Sequence, residues 1–225
     1  MENVRLSVII PCYNEEGNVK ECVERVPEME WPYEIIVVND GSKDNTLKVA
    51  QGINRKNLRI VSYENNGGKG YAFRQGMEAA RGDVVVICDA DMATMPEEIP
   101  DVVRPIFEGK ADFVNATRLV YPMEKGAMKP IHVPGNMAFA LMVSAIIGQR
   151  LTDTLCGFKA FKKDVLIGKL KENSWMDFEL LITAKRNGMR IVEVPIHYKA
   201  RRAGKSKMKT IKHAIKMFNM LMKSL

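Results

Sequence analysis

The chain has 225 residues, 46% of them hydrophobic and 27% charged, and a net charge of +7. That length and balance fit one large soluble core, and no apolar run approaches the roughly 20 residues needed to cross a bilayer. The positive charge is local: nine Lys or Arg and no acid fall between Lys199 and Leu225, so the rest of the chain is slightly acidic and no nucleic-acid partner is expected.

The opening MENVRLSVII lacks a basic start and a cleavage site, and reads as running into a strand rather than as a signal peptide. Cys12, Cys22, Cys88 and Cys156 show no CxxC spacing and read as reduced thiols of a cytosolic protein.

Leu6 to Ile10 is the first expected strand, followed by the loop Pro11 to Asn14 and a helix over about 17–26. Tyr33 to Asn39 is the second strand and ends at Asp40-Gly41-Ser42; Asp44 or Asn45 caps the next helix, 46–53. Leu58 to Ser62 is a short third strand, and the turn-rich NNGGKG (65–70) leads into a helix over 71–80. The β-branched run from Val84 to Cys88 reads as a fourth strand, buried on both faces and ending at Asp89. A helix over 97–108, interrupted by Pro100 and Pro105, leads to a fifth strand, Phe113 to Thr117. Strand and helix alternate throughout, which implies an α/β fold: a mostly parallel sheet with helices on both faces.

After Arg118 the rhythm breaks. Tyr121 to Gly135 contains three prolines and reads as a mobile loop. Met137 to Ile147 is apolar nearly all round, which fits a buried core helix, a helix at a membrane interface, or one wall of an apolar ligand's groove. Gly157 to Phe161 reads as a strand, Asp177 to Asn187 as a helix and Arg190 to Tyr198 as the last strand. From Lys207 on, Ile211, Ala214, Ile215, Phe218, Leu221, Met222 and Leu225 share one helical face, with Lys209, Lys212, Lys216 and Lys223 largely opposite. A basic amphipathic helix of this kind suits anionic lipid headgroups, its own domain or a partner. The expected division is therefore 1–207 for the α/β domain and 208–225 for the C-terminal helix.

Chemistry is expected where strands end. Asp89 and Asp91, one residue apart, repel each other unless a cation lies between them, and hard carboxylate oxygens suit Mg²⁺ or Mn²⁺. Such a cation can also bridge a ligand's phosphates. A lone DxD is as readily a solvated turn; its position after a strand in a βα series is what points to a ligand. Asp40 is placed to hydrogen-bond a nucleotide's base or ribose, Tyr13 to pack against a base, and Lys69 to lie near the donor. If the acceptor is a hydroxyl, a general base is required, and Asp153 is the candidate, although a loop-capping role suits it equally. His132 and His197 read as loop and strand residues.

PCYNEE (11–16), VNDGS (38–42) and DADMAT (89–94) resemble the three nucleotide-sugar loops of inverting glycosyltransferases with the Rossmann-like GT-A fold. DTLCGFKAF (153–161), MDFELL (176–181) and EVPIHYKARRAGKSK (193–207) resemble the polyprenyl-phosphate hexose synthases, the branch that includes dolichyl-phosphate mannose and glucose synthases. The resemblance spans about residues 5–207. It implies that Pro11, Tyr13, Glu15, Val38 and Asp40 hold the nucleotide, that Asp89 and Asp91 hold the metal and diphosphate with the Ala90 backbone near the sugar, and that Arg118 contacts a donor or acceptor phosphate. It also implies that Arg201 and Lys207 close over the diphosphate as a basic lid, with Gly204 permitting the bend. Mannose-type members carry Gln two residues after the second Asp. Ala93 stands there in this chain, closer to the glucose-type DADGAT, and CGFK in place of SGFR leans the same way, towards a UDP-glucose-like donor over GDP-mannose.

The expected activity is metal-dependent transfer of a hexose from a nucleotide-sugar to a polyprenyl or dolichyl phosphate with inversion. The expected location is peripheral, at the cytoplasmic face of a membrane. The alternatives are transfer to a hydroxyl acceptor, or a non-catalytic nucleotide-sugar-binding module that docks on membranes. A dinucleotide dehydrogenase is disfavoured because PCYNEEGN lacks G-x-G-x-x-G, and a P-loop because Tyr63 stands where its first glycine is required. A nucleotidylyltransferase is disfavoured because no Gly-rich loop follows the first strand.

Overall fold

The computed structural model describes residues 4–130, 132–173 and 176–200. Seven strands form one sheet: β1 (Leu6–Cys12), β2 (Tyr33–Asp40), β3 (Leu58–Tyr63), β4 (Val84–Ile87), β5 (Phe113–Thr117), β6 (Lys159–Lys162) and β7 (Ile191–Pro195). Their order is β3-β2-β1-β4-β6-β5-β7. The pairs β1–β2, β1–β4, β2–β3 and β5–β7 are parallel, whereas β6 runs antiparallel between β4 and β5. The expected α/β class and GT-A architecture are present, and the alternating pattern gave no hint that β6 reverses direction.

The helices are α1 (Val19–Glu24), α2 (Thr46–Gln51), α3 (Lys69–Ala79), α4 (Ile99–Phe107), α5 (His132–Ile147), α6 (Lys163–Leu166) and α7 (Met176–Arg186). Because strand side chains alternate between faces, Val8 and Ile10 join a core layer with α1, α2 and α4, while Ile9, Ile36 and Val38 join a second with α3, α5 and α7. The sheet is therefore sandwiched, and its ligand-accessible rim lies where β1, β2 and β4 end side by side.

Three boundaries differ from the sequence reading for identifiable reasons. Lys69 is the first residue of α3 rather than part of the turn before it. Pro105 lies inside α4, which continues through it, after a short 3-10 turn at Pro96–Glu98. Helix α5 begins at His132, inside the segment read as a loop. Pro134 falls in its first turn, where no intrahelical N–H bond is lost and the fixed φ favours the helix.

Helix α5 also departs from a wholly buried core helix. Phe139, Ala140, Val143 and Ile147 are buried, but Met137 is 54% and Leu141 66% exposed, with Ala138 and Ala145 on the same open side. The amphipathic stretch expected at 208–225 lies outside the described residues.

Candidate active site

The loops after β1 and β2 are laced together by hydrogen bonds. Asn14, held at φ +55, receives a bond on its side-chain oxygen from the Lys43 N–H (2.8 Å) and donates its own N–H to Ser42 Oγ (3.0 Å). The Glu15 N–H donates to Thr46 Oγ1 at 2.7 Å, and the Asn45 N–H to Glu16 Oε2 at 2.8 Å. Asp44 Oδ1 accepts from the Thr46 N–H, so Asp44 braces the first residue of α2 from just outside the cap residue Asn45, whose own side chain makes no capping bond. Tyr13 and Glu15, both partly exposed, stand on this braced surface with Pro11.

Asp40 reaches the rim, but its carboxylate is occupied by protein donors. Oδ1 accepts from the Gly67 N–H at 2.7 Å; Oδ2 accepts from the Gly68 N–H at 3.0 Å and from Asn66 Nδ2 at 2.8 Å. Gly41 and Gly68, at φ +63 and +90, supply the left-handed backbone that this cross-loop contact requires. Asp40 thus fixes the turn that launches α3. Val38 is placed differently from the expected nucleotide contact: it is fully buried within β2, its side chain packed beneath α3 beside Gly76.

Asp89 follows β4, and Lys69 Nζ spans its carboxylate at 2.7 Å from Oδ1 and 2.9 Å from Oδ2. Ala90 is buried behind this loop. Met92 holds φ +61, a backbone region that costs a non-glycine residue free energy, and the following Ala93 N–H returns to Asp91 Oδ1 at 3.0 Å. Gly157 leaves room for the Lys69–Asp89 pair: a Cβ there would stand 2.5 Å from Lys69 Nζ and 2.6 Å from Asp89 Oδ2.

Burial alone would lower the Lys69 pKa, but Asp89 and then Asp177 drive it above the ordinary lysine value. Asp177, in the first turn of α7, is 7% exposed and has no hydrogen-bond partner for Oδ1 among the described residues. Burial raises its pKa against the opposing pull of Lys69 and Lys159. Lys159 is wholly buried on β6, hydrogen-bonded to Asn115 Oδ1, and its pKa is lowered by burial. The sequence reading did not single out Asp177 or Lys159. The available signal was a charged residue between apolar neighbours that are themselves buried, as in Met176-Asp177-Phe178.

Arg118 and Asp153 form a buried bidentate pair, with Nε to Oδ2 at 2.6 Å and Nη2 to Oδ1 at 2.9 Å; the Arg118 N–H adds a third bond to Oδ2. Burial would raise the Asp153 pKa, but Arg118 outweighs it and holds the carboxyl below the usual range. A solvent-accessible base is therefore not what the geometry offers: Asp153 is 0% exposed and both of its oxygens are engaged. The Arg118 guanidinium also lies 4.9 Å over the Tyr198 ring.

The chain after β7 is attached across the same rim. Thr94 and Tyr198 form an antiparallel bridge, the Lys199 N–H donates to Ala93 O at 2.9 Å, and the Glu124 N–H donates to Tyr198 O at 3.1 Å. His197 binds Glu98 Oε1 at 2.7 Å and stacks on Tyr121. Arg201 and Lys207 lie outside the described residues, but the residues that lead to them are pinned to the Asp91 loop on one side and to Arg118 on the other.

The donor set fits a hard divalent cation. Asp89 and Asp91 offer two carboxylates on one loop that could hold such an ion, and no group of three or more His, Cys, Asp or Glu that could cage an ion occurs among the described residues. Mg²⁺-type sites are built this way, with one or two carboxylates completed by a substrate's phosphates. Asn39 Oδ1, near the end of β2, and Thr94 Oγ1, in the Asp91 loop, are buried polar atoms with no hydrogen-bond partner among the described residues.

Residues 7–168 match the family model described as glycosyl transferase family 2. The chain belongs to glycosyl transferase family 2. It is 30% identical over 236 residues to dolichyl-phosphate beta-glucosyltransferase ALG5C of Trichomonas vaginalis, covering 95% of this chain and 68% of that protein. It is also 30% identical over 217 residues to UDP-N-acetylglucosamine–dolichyl-phosphate N-acetylglucosaminyltransferase of Methanococcus voltae, covering 87% and 86%. The chain spans 37% of the length of glycosyltransferase AglD of Haloferax volcanii, to which it is 30% identical over 234 residues. Among solved structures, glucosyl-3-phosphoglycerate synthase of Mycobacterium tuberculosis in complex with Mn²⁺ and UDP-glucose superposes with a TM-score of 0.76 at 22% identity, covering 98% of this chain and 79% of that one. At that identity the likeness is one of fold.

Proposed function

We propose that this family 2 protein transfers a hexose from a nucleoside-diphosphate sugar to a polyprenyl or dolichyl phosphate, with inversion at the anomeric carbon and with Mg²⁺ or Mn²⁺. The observation that carries the reading is the joining of the Asp91 loop to the segment after β7, which leads into Arg201-x-x-Gly204-x-Ser206-Lys207. One loop supplies two carboxylates, and the chain hydrogen-bonded to it continues into a basic segment. Carboxylates on such a loop and basic residues following in the chain suit a metal-bound diphosphate leaving group.

In this reading Tyr13, Glu15 and Pro11 receive the nucleotide, and Asp40 acts indirectly by fixing the turn ahead of Lys69. Asp89 and Asp91 hold the cation, which when bound supplies charge neutralisation to the departing diphosphate. Arg201 and Lys207 add positive charge to the same oxygens, and stabilising charge that develops in the transition state is usually the largest catalytic contribution in such sites. Arg118, oriented by Asp153 and Tyr198, presents its guanidinium edge to an acceptor phosphate. A lipid phosphate is already ionised at neutral pH and needs positioning rather than a base. The engagement of Asp153 by Arg118 favours that acceptor over a hydroxyl, for which no poised base stands among the sequence-predicted residues.

The relatives named for dolichyl-phosphate transfer support this acceptor class, and so does the open apolar side of α5. Val120 and Tyr121, in the loop before it, are 57% and 40% exposed. No helix among the described residues is long and apolar enough to cross a membrane. We assign peripheral contact at the cytoplasmic membrane face on the strength of these exposed apolar groups and the basic 208–225 stretch of the sequence. The test is transfer of radiolabelled hexose from UDP- and GDP-sugars to a short polyprenyl phosphate. Organic-extractable product that disappears with EDTA is expected. Donor hydrolysis alone, or product formed only with a hydroxyl acceptor, contradicts the proposal.

A further inference from the structure

We propose that Lys69 is a resident counter-ion of the metal site, which makes cation binding conditional on the donor's diphosphate, and that Asp177 is the group to which its ammonium transfers when the cation arrives. This deepens the proposed function and rests on Asp89 being a metal ligand.

The ammonium already sits where a cation must go. Lys69 Nζ lies 2.7 and 2.9 Å from the two Asp89 oxygens, so neither is free for a metal without displacing it or accepting two positive charges in close contact. The pair is built rather than incidental. Asp40 fixes Gly67 and Gly68, the Gly70 N–H is tied to Asn173 O at 2.8 Å, and Gly157 leaves the space the ammonium fills. A Cβ on Gly70 would stand 2.1 Å from Glu172 O, so the start of α3 is packed directly on the segment that leads to α7 and Asp177.

Asp177 completes the arrangement. It is a buried carboxylate whose charge acts on Lys69 and whose Oδ1 lacks a partner among the described residues. Lys69, paired with Asp89 at the start of a helix packed on the segment that leads to Asp177, has in Asp177 Oδ1 the second docking position that the proposal assigns to it. Lys159 is wholly buried on β6 and is held on Asn115. A bare divalent ion must therefore compete with Lys69 for Asp89, whereas a cation arriving with a diphosphate brings its own oxygen ligands and needs less from the protein.

Free Mn²⁺ measured by electron paramagnetic resonance, with and without UDP or GDP, tests this on wild type, Lys69→Met, Lys69→Gln and Asp177→Asn, each verified as folded by circular dichroism. Wild type is expected to bind Mn²⁺ weakly alone and at least about tenfold more tightly with one of the two nucleotides, the usual size of a coupling between two sites. Lys69→Met or Lys69→Gln is expected to bind Mn²⁺ alone about tenfold more tightly than wild type, with a smaller gain from that nucleotide. Asp177→Asn, which removes the receiving charge, is expected to weaken Mn²⁺ binding in the presence of that nucleotide. Mn²⁺-alone affinity unchanged or weaker in both Lys69 variants overturns the inference while leaving the metal site standing. An Asp177→Asn variant that binds Mn²⁺ and nucleotide as wild type does removes Asp177 from it, and failure of wild type to bind Mn²⁺ with either UDP or GDP removes the metal reading and this inference together.

Discussion

Lys199 donates its backbone N–H to Ala93 O at 2.9 Å, beside the bridge between Tyr198 and Thr94. The contact joins the two ends of the candidate site: Ala93 follows the Asp89-Ala90-Asp91 loop, and Lys199 immediately precedes the basic R-x-x-G-x-S-K segment. It brings together backbone segments more than a hundred positions apart in the chain, as the proposed shared diphosphate site requires.

The two acids can be separated from the fold. Asp91 lies on a loop outside the hydrogen-bonded strands, so Asp91→Ala should leave the circular dichroism spectrum unchanged. Sugar transfer should fall by at least about 10²–10³, the cost of removing a principal charge-stabilising group. Steady-state transfer assays measure this directly, and wild-type rates in that variant would remove Asp91 from the mechanism.

The Arg118–Asp153 pair should behave as a buried pair does. Asp153→Ala strands a buried guanidinium and is expected to destabilise the protein by about 3–5 kcal/mol in urea unfolding. Asp153→Asn, which keeps a hydrogen-bond acceptor, should cost less. If Asp153 instead served as a general base, Asp153→Asn would abolish activity without touching stability, the opposite pattern.

The same pair sets an acid limit. Because the folded-state pKa of Asp153 is held below its unfolded value, the unfolded chain binds a proton first as pH falls. The stabilisation is thus complete above the unfolded aspartate pKa of about 3.9 and is lost progressively below it. Asp112, paired with Lys162 and Arg190, shifts the same way, with a smaller effect because that pair is partly open to solvent. Urea midpoints measured from pH 6 to pH 3 should fall only at the acid end, and less steeply in Asp153→Asn.

Gly157→Ala tests the Lys69–Asp89 contact without altering a charge. Its new Cβ would press on Lys69 Nζ and Asp89 Oδ2, so metal-dependent transfer should drop by about tenfold or more, in line with the cost of misplacing a catalytic group. Thermal stability should change modestly, since the displaced atoms are side-chain ends. A Gly157→Ala enzyme with unchanged transfer and unchanged Mn²⁺ dependence would show that the contact is irrelevant to the chemistry.

Much of this was legible in the sequence because the signals were local. The limits of β5, Phe113 to Thr117, match the apolar and β-branched run that announced it. The rim carrying Pro11, Asp40 and Asp89 follows from three parallel strands ending together. What was not legible depends on partners distant in sequence. Asp40 reads as a ligand contact until the N–H groups of Gly67 and Gly68 are found on it, and Asp153 reads as an available base until Arg118 is found closing both its oxygens. The start of α5 was hidden because Pro134 and Gly135 read as breakers, although a proline in a first helical turn interrupts nothing. Asp177 and Lys159 sit in apolar runs, and only packing reveals that both charges are buried.

The most direct test is anomalous diffraction at the manganese edge from crystals grown with Mn²⁺ and the UDP or GDP product. The account predicts one strong peak between the Asp89-Ala90-Asp91 loop and the diphosphate, with Lys69 turned from Asp89 towards Asp177. A diphosphate bound with no metal peak at that loop, and Lys69 still on Asp89, would contradict it.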